Sequence, residues 1–272
     1  MNFCWKIILA LLIFSSCSKD PKSNNAVVVT RHHLATDIGA EILKNGGNAI
    51  DSAVAVAFAL AVVNPSAGNL GGGGFMLYYD ADDEKTFALD YRERAPQNAT
   101  EKMFLNKEGD VIEGLSLNSY LASGVPGTVK GMFKAHNLFG SIPIENLIAP
   151  AIKIAKDGFT LSNFQATNFN KYKKKFLNGS DSESIFIKEG GFKEGDIFIQ
   201  ADLAKSLELI QSRGQKVFYE GKLADKIVED FSQNGGLISS EDLFNYKVYL
   251  KDPICGIYKE YDVCSMPLPS SV

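Results

Sequence analysis

Asn45–Met76 reads NGGNAIDSAVAVAFALAVVNPSAGNLGGGGFM, a run of small apolar residues that empties into four consecutive glycines. Asn45-Gly46-Gly47 has the form of a helix stop, with a left-handed glycine just past the end of a helix over 36–44. Asn48 is then placed to cap a second helix, and Asp51 falls in its first turn, where a negative charge suits the dipole. Residues 49–63 are apolar on nearly every side, which predicts a helix buried all round. At about 1.5 Å rise per residue it is too short to cross a hydrocarbon core of about 30 Å. Pro65 ends it, Gly71–Gly74 turn the chain, and 75–79 leaves as a strand.

A glycine run carries a high conformational-entropy cost, so a fold keeps it where backbone passes close to something or where positive-φ conformers are needed. It also invites a phosphate-loop reading. GNLGGGG lacks the lysine of GxxxxGK[ST], and the order helix, glycines, strand reverses that of a nucleotide-binding turn. The run marks a crowded, backbone-dominated place.

The front of the chain has the layout of an export signal. Residues 1–16 carry one positive charge (Lys6), an apolar core over 7–14 and then Ser15-Ser16 before Cys17. This resembles a bacterial lipoprotein-type signal peptide, which would leave Cys17 as the acylated first residue and 17–25 as a polar tether to a domain over 26–272. Several acyl chains together anchor stably at a membrane. A plain cleaved signal with an incidental cysteine is the alternative, and both place the mature domain outside the cytoplasm, in the periplasm or at the outer membrane of a bacterium.

The other chemistry-bearing residues are sparse. Cys255 and Cys264 are allowed one disulfide in an oxidising compartment. There is no CxxC, and adjacent His32-His33 cannot share a helix face as a metal pair would, so neither a metal nor a cofactor is expected. A net charge of −4 argues against nucleic acid as a partner. The basic run Lys171–Lys175 reads as a solvated helix face. Further elements are expected as strands over 27–30 and 87–91 and a short helix from a Thr100 cap through Phe104. Longer helices follow over 127–137, 144–156, 162–175, 201–212 and 223–233. Gly140, Gly158, Gly214 and Gly235 stand where C′ glycines belong, and Ser239-x-x-Asp242 has the form of a cap.

Six segments in order, AEILKNGGNAIDSAVAVAFALAVVNPSAGNLGGGGFM, ALDYRERAP, LASGVPGTVKG, LIAPAIKIAKDGF, QADLAKSL and NGGLISSEDL, resemble the γ-glutamyltranspeptidase family, also called glutathione hydrolases. The resemblance runs from about Ala26 to Ser271. It implies an α+β fold, the four-layer αββα sandwich of N-terminal nucleophile hydrolases, present here as an incomplete N-terminal, large-subunit portion. It also implies γ-glutamyl transfer and hydrolysis through an acyl-enzyme on the N-terminal threonine of a separate small subunit, with glutathione or another γ-glutamyl amide as substrate. Arg92 matches the family arginine that grips the glutamyl α-carboxylate; a planar guanidinium fork suits a carboxylate. Glu93 either orients Arg92 or is simply solvated, and Arg94 is the competing arginine. No residue of this chain matches the catalytic threonine, so the chain alone is expected to be inactive, with an unpaired sheet edge and exposed apolar surface. A related acylase of the same fold, or a non-catalytic lipoprotein that binds γ-glutamyl compounds, is the alternative.

Overall fold

A computed structural model describes residues 26–67, 69–179 and 185–270. The expected signal peptide, Cys17 and the tether lie outside the described residues. In chain order the helices are α1 (His33–Lys44), α2 (Ala49–Val63), α3 (Leu115–Asn118), α4 (Thr128–Phe139), α5 (Ile144–Asp157), α6 (Asn163–Gly179), α7 (Ala201–Arg213), α8 (Lys216–Tyr219), α9 (Lys222–Gln233) and α10 (Ser240–Asn245). The strands are β1 (Phe75–Asp80), β2 (Lys85–Asp90), β3 (Phe159–Thr160), β4 (Ile197–Phe198), β5 (Tyr249–Lys251), β6 (Ile254–Tyr258) and β7 (Tyr261–Ser265).

The core forms around α2, against which α1, α4 and α5 pack. No residue from Ile50 to Val63 is exposed, as an all-apolar helix requires. Its start is fixed by a capping box: Asp51 N–H donates to Asn48 Oδ1 and Asn48 N–H to Asp51 Oδ2, both at 2.9 Å. Asp51 does more than complement the dipole. Wholly buried, it also accepts from the backbone N–H groups of Ser141 and Ile142 and from the Ser141 hydroxyl, tying α2 to the loop after α4. Burial alone would raise its pKa; these donors outweigh burial and hold it below the usual carboxylate range.

β1, β2 and β5 form an antiparallel sheet in that order, with Phe75 opposite Asp90 and Asp90 opposite Tyr249. β6 and β7 form a separate hairpin that the Cys255–Cys264 disulfide bridges at directly opposed positions. Ile257 is 80% exposed there, with Tyr258 and Tyr261 beside it, and among the described residues the hairpin pairs only with itself. Among the described residues no helix is long and apolar enough to cross a membrane.

Two expected elements are absent. Val27 and Val29 are 79% and 86% exposed, and 26–30 has no ladder partner among the described residues, so the segment is not a strand. Thr100 caps no helix: Met103 N–H and Leu105 N–H close single turns back to Thr100 and Lys102. The Phe104 carbonyl and Asn106 N–H are instead used by Ile112 and Asp110, a local pairing that outcompetes a one-turn helix. Of the four C′ glycines, Gly158, Gly214 and Gly235 have positive φ; Gly140 is extended at −74°. α6 runs four residues beyond its expected end.

Candidate functional site

The last residue of β2, Asp90, is fully buried, and three donors converge on it. Lys251 Nζ and Arg94 Nη2 approach Oδ2 at 2.7 and 3.1 Å, and Arg92 N–H donates to Oδ1 at 3.1 Å. Burial opposes ionisation, but the Lys251 hydrogen bond, the Arg92 N–H and the two cations prevail and hold the carboxyl below its ordinary range. Lys251 also donates to the Leu268 carbonyl at 2.8 Å, fastening the C-terminal stretch of the described chain to the same carboxylate. Arg94 is thus committed to the scaffold, with its guanidinium 5.0 Å from the Tyr249 ring centre.

Arg92 is held differently. Its backbone is pinned from both sides, N–H on Asp90 and carbonyl accepting from Tyr246 Oη at 2.8 Å, while its side chain is exposed. The guanidinium lies 5.8 Å from the Phe75 ring centre and makes no ion pair among the described residues. Glu93 is exposed and makes no ion pair with Arg92 among the described residues; its carboxylate lies against the glycine run, where a Cβ on Gly73 would meet Oε2 at 2.9 Å.

The glycines explain how so exposed an arginine is positioned. None of Gly71–Gly74 has a positive φ, so conformational freedom is not their reason; at Gly73 and Gly74 the reason is close approach, whereas Gly71 and Gly72 have ordinary clearance. A Cβ on Gly73 would lie 2.5 Å from the Tyr91 carbonyl and 2.7 Å from Glu93 N, and one on Gly74 3.0 Å from the Tyr91 ring. Gly74 and Tyr91 exchange backbone hydrogen bonds at 3.2 and 3.0 Å, and the Gly72 carbonyl accepts from Gly127 and Thr128 N–H at 2.8 and 3.0 Å. From the other side a Cβ on Gly127 would collide with the Tyr91 carbonyl and Tyr246 Oη, one on Gly131 with the Tyr91 ring, and one on Gly124 with Glu93 Cβ. Tyr91–Glu93 therefore passes through a collar of backbone. The enclosed Tyr91 phenol is pushed up to about 12 by burial.

Of the residues singled out from the sequence, Arg92 stands on this segment and Cys17 lies outside the described residues. Arg92 does not line the neighbouring cavity of 220 Å³, whose walls include Arg94, Val125, Asp242, Tyr246 and Tyr249. Sequence reasoning missed Asp90, Lys251 and Tyr246. Only the acid in Asp90-Tyr91-Arg92 was a signal; the partners lie 161 and 154 residues away from their contacts. Among the described residues no His, Cys, Asp and Glu cluster is arranged to hold a metal.

The fold is that of the N-terminal nucleophile hydrolases, with helices and sheets mixed in the α+β manner. Within that class the chain belongs to the gamma-glutamyltranspeptidase family, whose model matches residues 35–272. The glutathione hydrolase proenzyme of Escherichia coli (strain K12) is 46% identical over 252 residues, covering 92% of this chain and 43% of the relative. That of Bacillus subtilis (strain 168) is 39% identical over 289 residues, covering 99% and 49%. The crystal structure of Helicobacter pylori gamma-glutamyltranspeptidase matches with a TM-score of 0.88 at 46% identity, over 92% of this chain and 72% of that one. The chain spans less than half the length of these two curated relatives.

Proposed function

We propose that this chain contributes the carboxylate-gripping part of an active site that hydrolyses and transfers γ-glutamyl groups from glutathione and related amides. The observation that carries this is the contrast between two arginines two residues apart. Arg94 is spent on a buried carboxylate, while Arg92 has an anchored backbone and an uncommitted, exposed guanidinium. A planar fork with paired donors matches the α-carboxylate of a glutamyl group, and an anchored backbone lowers the cost of orienting it.

The nucleophile in this reading is the N-terminal threonine of a small subunit, supplied by sequence outside residues 1–272. Its hydroxyl attacks the γ-carbonyl while its α-amine takes the proton, and backbone N–H groups stabilise the oxyanion. The α-ammonium hands that proton to the substrate nitrogen as the C–N bond breaks and the substrate amine leaves, and water or an acceptor amine, losing a proton to the same α-amine, then releases the glutamyl group from the threonine oxygen. The present chain alone is then inactive, and the exposed outer strands β1 and β5 and the β6–β7 hairpin are surfaces for the missing half. Cys17 carries acyl chains that hold the mature domain, 26–272, at the outside of the cytoplasmic boundary through the 17–25 tether.

The test uses the enzyme assembled with its small subunit and γ-glutamyl-p-nitroanilide. Arg92→Gln should raise KM by about tenfold to a hundredfold, the worth of a hydrogen bond to a charged group, with a smaller change in kcat. Arg94→Gln should leave KM close to its starting value and lower the melting temperature. An unchanged KM in Arg92→Gln would remove Arg92 from substrate binding.

A further inference from the structure

We infer that α6 is a membrane-surface contact that recognises anionic lipid. Its sequence, NFQATNFNKYKKKFLNG, has no acidic residue and places Lys171, Lys173, Lys174 and Lys175 within five positions of a chain whose net charge is −4. Among the described residues none of the four lysines makes an ion pair. Lys171, Lys174 and Lys175 are exposed, and Lys173 is half-buried.

A solvated helix face accounts for the lysines alone but not for what stands among them. Phe164 is 64% exposed one face-repeat before them, and Tyr172 is exposed between Lys171 and Lys175, whose ammonium groups lie 5.5 and 5.7 Å from its ring centre. At about 100° per residue, Phe164, Lys171 and Lys175 fall on one stripe, with Tyr172 at its margin. Beside that margin opens a cleft of 180 Å³ with mainly apolar walls, formed by Pro65, Phe164, Phe169, Tyr172 and Phe176. The opposite side of α6 is anchored, with Ala166 and Phe169 in the core, so the stripe sits on a rigid support.

Basic side chains, exposed aromatic rings and an adjoining apolar cleft are the three elements of an interfacial lipid contact. Lysines meet headgroup charge, amphipathic rings sit at headgroup depth, and the cleft receives apolar matter from below it. The neighbouring loop over 185–196 carries two lysines and three carboxylates, with Lys188 paired to Asp196, so it is slightly acidic and adds nothing to the basic stripe. Asp181 and Glu183 follow α6 in the sequence, outside the described residues. This contact is independent of acylation at Cys17 and would set how the domain lies on the surface.

The test uses residues 17–272 with Cys17→Ser, so that neither the apolar signal segment nor an acyl chain is attached, sedimented with vesicles of phosphatidylglycerol and phosphatidylcholine or of phosphatidylcholine alone. Binding should be stronger on the anionic vesicles and fall with added salt. The excess should drop about 100-fold when Lys171, Lys174 and Lys175 are all changed to Gln. Changing Lys102, Lys107 and Lys222 to Gln instead should preserve it. An anionic excess that is missing, or that survives the α6 substitutions, overturns the inference. So does a chain that ignores both vesicles yet is held by immobilised polyaspartate, which would assign the stripe to an acidic polypeptide.

Discussion

Gly73→Ala and Gly71→Ala place the same methyl group two residues apart in one glycine run and should have opposite effects. At Gly73 the new Cβ would stand 2.5 Å from the Tyr91 carbonyl oxygen and 2.7 Å from Glu93 N. A carbon–oxygen contact settles near about 3.3 Å, so backbone must yield by roughly 0.8 Å. It cannot yield freely, because that carbonyl already accepts from Gly74 N–H and the next residue is pinned by Asp90 and Tyr246. Overpacking of this kind costs about 1–3 kcal/mol. At Gly71 the nearest atom is the Asn69 amide oxygen at 3.4 Å, the flexible end of an Asn side chain, and φ is not positive. Alanine there restricts the unfolded chain and should stabilise by about 0.4–1 kcal/mol. Urea unfolding followed by circular dichroism separates the two midpoints, and Gly73→Ala should also raise KM in the assembled enzyme, because it moves the segment that carries Arg92. Equal losses in both variants would refute the close-approach account and return the run to a need for backbone freedom.

Asp90→Asn should cost toward the lower end of about 3–5 kcal/mol, since it leaves Lys251 and Arg94 without their buried counter-charge while both keep some access to water. The wild-type carboxyl sits below its unfolded value of about 3.9, so its contribution is complete above that pH and is lost as pH falls through the folded pKa. Acid titration of stability should accordingly flatten in Asp90→Asn, and a curve of unchanged steepness would contradict the assignment. Labelled palmitate should enter the wild-type chain in its native host and not Cys17→Ser; equal labelling in both would end the lipoprotein reading.

Local chemistry was legible in the sequence where the partners are close along the chain. The Asn48–Asp51 and Ser239–Asp242 boxes close over three residues, and α2 matches its expected span because nothing else competes for an all-apolar segment. The glycine run was legible as a crowded place, but two causes fitted it, and only the approach of Tyr91 and Glu93 separates them. The roles of Arg92 and Arg94 could not be told apart from DYRER alone. What distinguishes them is Lys251 and Tyr246, brought in by β5 and the turn before it, and contacts of that separation leave no periodic trace. The β-branched residues of 27–30 suit a strand, but β-propensity specifies no neighbour to pair with.

The backbone collar around Tyr91–Glu93 also limits how this scaffold can be re-engineered. At Gly73, Gly124, Gly127 and Gly131 a side chain presses on the segment it encloses, so substitutions at those positions both lower stability and move Arg92. Altered substrate preference has to be sought where side chains meet the guanidinium without bearing on the collar, and Phe75, whose ring centre lies 5.8 Å from the Arg92 guanidinium, is one such position.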